Sequence, residues 1–193
     1  MNGTFCPAVA IYVSPAAATN RRRTMKMKGL QLSAKSIAYS GIMLAILEAA
    51  KLALDFVPNV EAVTLLFIVY TLFFGRKAIL VAIGFTLIEC MLKGINVWSL
   101  MYLYIWPLLI IVVHYANQHK AEYVFYCILS GVFGLLFGTF CLIPYLIVGG
   151  WGMAISWWIA GLPYDLIHGV SNFVMCMLLF QPLCRVMKLS GVN

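Results

Sequence analysis

From Ser33 onward the chain is a succession of apolar blocks separated by short punctuation, and few folds can be built on that pattern. The blocks cover residues 33–56, 60–74, 78–92, 97–115, 123–148 and 163–187. They stop at Pro58, Gly75-Arg76-Lys77, Lys93-Gly94, the polar stretch after Tyr115, and Gly149-Gly150-Trp151-Gly152. A helix that crosses a bilayer needs about 20 apolar residues, with a range near 17–25. The pattern therefore predicts an all-α integral membrane protein with six transmembrane helices. Blocks 60–74 and 78–92 are short, so their ends are expected to sit below the headgroups against protein. The piece 154–162 is too short to span and reads as an outer interfacial segment.

Composition excludes the alternatives. Hydrophobic residues make up 64% and charged residues 10%, against roughly 45–50% and about 25% in soluble domains. A water-soluble chain of this size could not hide that much apolar surface. Disorder, collagen and a disulfide-rich scaffold fail on the same figures. The net charge of +7 does not point to nucleic acid, because the basic residues are dispersed between apolar blocks. The six cysteines show no CxxC spacing, and five lie in or beside apolar runs. They read as small hydrophobes in packed helices rather than metal ligands or disulfides.

Residues 1–26 differ from the rest, with two prolines, an Ala run and Arg21-Arg22-Arg23. A signal peptide would place its basic residues before the apolar stretch. The segment is expected to be a disordered cytoplasmic tail or a mis-annotated extension ahead of Met25 or Met27. Residues 27–193 then form the membrane domain. Six spans put both termini on one side. That side collects eleven of the thirteen basic residues, leaving only Lys51 and Lys93 on the other. The positive-inside rule makes the termini cytoplasmic.

With this topology, five of the six acids, Glu48, Asp55, Glu61, Glu89 and Asp165, gather toward the outside. Charged groups at membrane depth are costly and face a bundle interior or a water-filled cavity. Asn59 shares that level. Trp98, Tyr102 and Trp106 follow one another at i, i+4 and i+8 on one helix face. Asp165, His168 and Asn172 do the same at i, i+3 and i+7. Trp158 lies near the outer interface. Together these residues describe an outward polar pocket with stacking surfaces, suited to a ring-bearing small molecule. Each has a structural alternative. Glu48–Lys51, Lys51–Asp55 and Glu89–Lys93 have the spacing of helical ion pairs. The aromatic stripe could be an interface belt, and the Asp165 face could be interhelical hydrogen-bond glue.

Small residues form two further faces. Ala34, Ala38, Gly41, Ala45, Ala49 and Ala53 recur every three or four residues in the first block, and Gly131, Gly134 and Gly138 mark the fifth. Such faces allow another helix to approach closely, within this chain or from a partner. Enzyme signatures are few. HExxH, GxSxG and the P-loop are absent, and Gly169-Val170-Ser171-Asn172 lacks the final glycine of an intramembrane serine protease. The chain reads as a non-enzyme without an ATPase site of its own.

Residues 27–189 resemble the substrate-binding S-component of an energy-coupling factor (ECF) vitamin transporter. The size and six-helix plan carry the resemblance, together with Ala45-x-x-x-Ala49 extended to Ala53 and Pro58-Asn59-Val60-Glu61. The close, with Gly161-Leu162-Pro163-Tyr164-Asp165, His168, Ser171-Asn172 and Gln181-Pro182-Leu183, is also similar. The resemblance implies high-affinity capture of a water-soluble vitamin at the outer face of the cell membrane. It implies docking through Ala45, Ala49 and Ala53 onto a transmembrane coupling subunit driven by two cytoplasmic ATPases. ATP is then used by the partners, and no cofactor or metal is held here. The family's ligands include riboflavin, thiamin, folate, biotin, pantothenate, cobalamin and queuosine precursors. The Pro-Asn-x-Glu loop and the aromatic fourth block look most like cobalamin-type members. The rival reading is a stand-alone secondary transporter of a small organic solute, which would want charge along its whole path or inverted repeats.

Overall fold

A computed structural model describes residues 33–190; the expected extension 1–26 lies outside the described residues. Every element among the described residues is helical: α1 Ala34–Leu54, α2 Val63–Phe74, α3 Ala78–Lys93, α4 Val97–Gln118, α5 Tyr123–Leu135 and α6 Phe137–Leu189. Among the described residues, four helical stretches are long and apolar enough to cross a membrane: Ala34–Leu54, Val63–Lys93, Val97–Gln118 and Tyr123–Leu189.

Two of those stretches fold back on themselves. Gly75 (φ 58°) ends α2 and a single 3-10 turn leads into α3. Gly150 (φ 70°, ψ −173°) breaks α6 into arms covering 137–149 and 151–189. That backbone region is essentially open to glycine alone. The reversals follow from contacts on either side: Phe67 meets Phe85 across Gly75, and Gly134 meets His168 across Gly150.

The second arm of α6 corrects one expectation. Residues 154–162 are not a separate interfacial piece, because the helix runs unbroken from Trp151 through Pro163 to Leu189. Proline costs one backbone hydrogen bond, and neighbouring helices let apolar helices tolerate it. Pro107, Pro144 and Pro182 are likewise helical. Block edges moved by a few residues elsewhere; α2 starts at Val63 because the 55–62 loop takes the residues before it.

α1 and α3 run in the same direction, paired at Ser36–Lys77, Leu44–Gly84 and Lys51–Glu89. α2 runs parallel to the second arm of α6, paired at Glu61–His168 and Thr64–Asn172. α4 runs antiparallel to the stretch containing α5, through Trp98–Phe137 and Trp106–Phe133. α2 is the centre of the bundle. All nine residues from Val63 to Thr71 are buried, packed on Phe85, Trp106 and Ile110 in the core. At ~1.5 Å per residue its 12 residues extend about 18 Å, short of the roughly 30 Å of hydrocarbon. The expected close-packing face on α5 is real: an added Cβ at Gly134 would lie 2.8 Å from the His168 carbonyl oxygen.

Candidate functional site: an acidic, aromatic cavity at one end of the bundle

The 55–62 loop joins α1 to α2 and forms the lip of a cavity of about 400 Å³. Asn59 holds the loop's tightest point with φ 60°, a conformation in which asparagine is among the tolerated side chains. The Ser171 hydroxyl donates to the Asn59 carbonyl at 2.7 Å and ties the loop to α6. Asn96 starts α4 with a capping box: its side-chain oxygen accepts from the Trp98 and Ser99 amides at 2.9 and 3.2 Å. That cap sets where Trp98 enters the wall.

The polar centre is a relay through α2 and α6. His168 Nε2 lies 3.0 Å from Glu61 Oε1, and against a carboxylate the ring nitrogen is the donor. Thr64 donates to the same Glu61 oxygen at 2.8 Å, and Asn172 Nδ2 donates to Thr64 at 3.2 Å. Burial alone would raise the Glu61 carboxyl. The hydrogen bond and charge of His168, with the Thr64 bond, outweigh burial and hold it below its ordinary value.

Beside the relay, Asp165 is 7% exposed. Its Oδ1 accepts from the Gly138 amide at 3.0 Å, while Oδ2 has no hydrogen-bond donor among the described residues. Trp98 stacks on Phe137 with centroids 6.2 Å apart and meets Trp157 edge-on at 5.5 Å. Lys51 is ion-paired to Glu89 across the α1–α3 interface. Its Nζ also lies over the rings of Phe85 and Tyr102, at 5.1 and 5.7 Å.

Six of the ten residues picked from the sequence line this cavity: Asn59, Glu61, Trp98, Tyr102, Asp165 and His168. Glu89 lines an adjoining cavity of about 230 Å³, with Trp98 and Tyr102 as the shared wall. The other three lie elsewhere. Trp106 is a full two turns deeper than Trp98 and stacks on Phe67 at 4.9 Å in the core. Asn172 is buried beneath His168 and serves the relay as interhelical glue. Trp158 turns away and donates to Thr139 at 3.0 Å; its neighbour Trp157 faces the cavity instead. Of the intrahelical ion pairs expected, Lys93–Glu89 forms at 3.7 Å, whereas Lys51 reaches across to Glu89 rather than to Glu48 or Asp55. Phe137, Gly138, Gly161 and Tyr164 complete the wall without having been expected.

Ala45, Ala49 and Ala53 lie exposed along the outer face of α1. Comparison of the chain with protein families, curated proteins and solved structures finds no match.

Proposed function

We propose that this chain is the S-component of an ECF-type transporter, capturing a water-soluble vitamin or related micronutrient at the outer face of the cell membrane. In this reading the six spans are α1, α2, α3, α4, α5 with the first arm of α6, and the second arm of α6, and both termini are cytoplasmic. The observation that carries it is the placement of the cavity. It opens at one end of the bundle, with acids and aromatic rings in its wall, and ends on a packed floor. Phe67, Trp106, Leu109 and Ile110 are 0–1% exposed beneath it, which favours capture over conduction. A stand-alone secondary transporter places its site near the midplane between moving halves; here the residues packed beneath the cavity, Phe67, Leu109 and Ile110, are apolar and fully buried. A carrier that cannot pass its ligand through itself needs a partner to move it.

Two features support the rest of the reading. Lys35, Arg76 and Lys77 cluster at the end opposite the cavity, as the positive-inside rule requires of a cytoplasmic end. α1 is the least covered candidate span, with 11% of its apolar window buried against 39–50% in the others. Its alanine face is therefore open to a coupling subunit. The cavity volume equals roughly 13 waters at ~30 Å³ each, which suits a ligand of about one or two rings. A corrinoid of the cobalamin type would have to stand out of the mouth.

The test is co-purification from the native membrane. The expected outcome is capture of a transmembrane coupling subunit and two ATPases, lost in Ala45→Trp and Ala49→Trp without unfolding, since both positions are exposed. Uptake that persists with no ATPase partner would refute the S-component reading and favour the secondary transporter.

A further inference from the structure

The class of ligand can be narrowed further, a step that rests on the capture reading above. Charge comes first. Glu48, Asp55, Glu61, Glu89 and Asp165 share this end of the bundle with Lys51, Lys93 and His168 as its bases. The bases are committed. Lys51 and Lys93 pair with Glu89, and His168 with Glu61. Asp55 and Asp165 line the cavity with no ion-pair partner among the described residues.

Asp165 is the more constrained of the two. It is over nine-tenths buried, one oxygen is held by the Gly138 amide, and Oδ2 has no donor among the described residues. A carboxylate in such surroundings is costly until it meets a donor or a cation. Gly138 keeps the space over this carboxyl clear of side chain: a Cβ there would lie 2.9 Å from Asp165 Cγ. The same cavity has Trp98, Tyr102 and Trp157 in its wall. Aromatic faces attract cations as well as stacking on flat rings.

We propose that the cavity takes a flat organic cation of about one or two rings, or a ring bearing a polarised N–H donor, with that group on Asp165 and the ring against Trp98, Tyr102 and Trp157. Ligands that carry a carboxylate are rejected chiefly by Asp165, because like charge in a poorly solvated site opposes binding; the exposed Asp55 adds a screened repulsion. This sets aside folate, biotin and pantothenate within the family's range.

Three probes of one shape test the charge rule: benzamidinium, benzamide and benzoate, titrated by ligand-detected NMR against the purified full chain in detergent. Affinities in the millimolar range are expected for ligands this small. Benzamidinium should bind at least about tenfold tighter than benzoate, with benzamide between. Asp165→Asn should bring benzamidinium to within about twofold of benzamide. If that variant does not fold, Asp55→Asn is read instead; Asp55 is exposed, and about a twofold loss for benzamidinium alone is expected. Benzoate binding as tightly as benzamidinium, no binding by any probe, or an unchanged cation preference in the variant read would overturn the proposal. The titration uses no coupling subunit. A reversed charge order therefore sinks the ligand class and leaves the transporter reading standing, while failed co-purification does the opposite.

Discussion

Gly134→Ala is the sharpest test of how the site is held. The added methyl would sit 2.8 Å from the His168 carbonyl oxygen and 2.9 Å from Gly169 Cα and His168 C. All three are backbone atoms, so no side chain can swing aside. Carbon atoms rest about 3.5–4.0 Å apart, which requires α5 and α6 to separate by roughly 0.6–1.1 Å. His168 rides on the displaced segment, and the expected outcome is that a shift of this size breaks its bond to Glu61, 3.0 Å in the parent. Overpacking costs about 1–3 kcal/mol. The lost bond adds about 1 kcal/mol, taken low because the Glu61 side chain is 21% exposed. Removing a helical glycine returns up to about 1 kcal/mol, so the sum, about 1–4 kcal/mol, lowers the midpoint of thermal unfolding by about 2–16 °C. Gly41→Ala is the matched control. Nothing lies within 4 Å of its added methyl, and removing a helical glycine gains up to about 1 kcal/mol. Circular dichroism of both variants in one detergent decides. If Gly134→Ala melts within about 1 °C of the parent, or together with Gly41→Ala, the close approach of α5 and α6 is not what fixes His168.

Two further predictions concern charge. Lys51→Met strands Glu89, which is 5% exposed, with only the half-exposed Lys93 at 3.7 Å. A loss of about 3 kcal/mol is expected, and Lys51→Met/Glu89→Gln should recover most of it, as replacing both halves of a buried pair usually does; chemical unfolding of both variants checks this. Glu61 is held below its ordinary carboxyl value, so its bonds stabilise the fold fully above that ordinary value of 4.5 and are lost as pH falls through the lower folded value. The melting difference between the parent and Glu61→Gln should accordingly stay in place down to about pH 4.5 and shrink below it, read by the same melts across pH.

The acids were legible in the sequence because an ionised group inside an apolar block has few reasons to be there, and Glu61, Asp165 and His168 meet in one cavity. Trp106 was not separable from Trp98 and Tyr102 by spacing. A stripe at i, i+4 and i+8 climbs about 12 Å along its helix, enough to pass from cavity wall to packed core. Trp157 was hidden by a different cause. Placing a helix start at Pro163 cut one continuous face, Trp157–Gly161–Asp165–His168–Asn172, in two. Had proline been allowed inside the helix, the three-and-four spacing would have picked Trp157 over Trp158. The Lys51–Glu89, Glu61–His168 and Thr64–Asn172 pairings are long-range, and no local pattern contains them.

The buried position of α2 has a consequence for how the chain is made. A helix of 12 residues is too short to arrest in a translocation channel and be released sideways on its own. In the membrane reading proposed above, it enters the bilayer together with α3 as one hairpin, bent at Gly75. Its polar residues then wait. Glu61 and Thr64 meet His168 and Asn172 only after another 107 and 108 residues of synthesis. A ribosome-bound chain that ends before Trp151 holds most of its helices and the Thr64–Glu61 bond, but neither of the relay's partners on α6. The second arm of α6 is thus the segment that completes the polar relay begun by the 55–62 loop and α2.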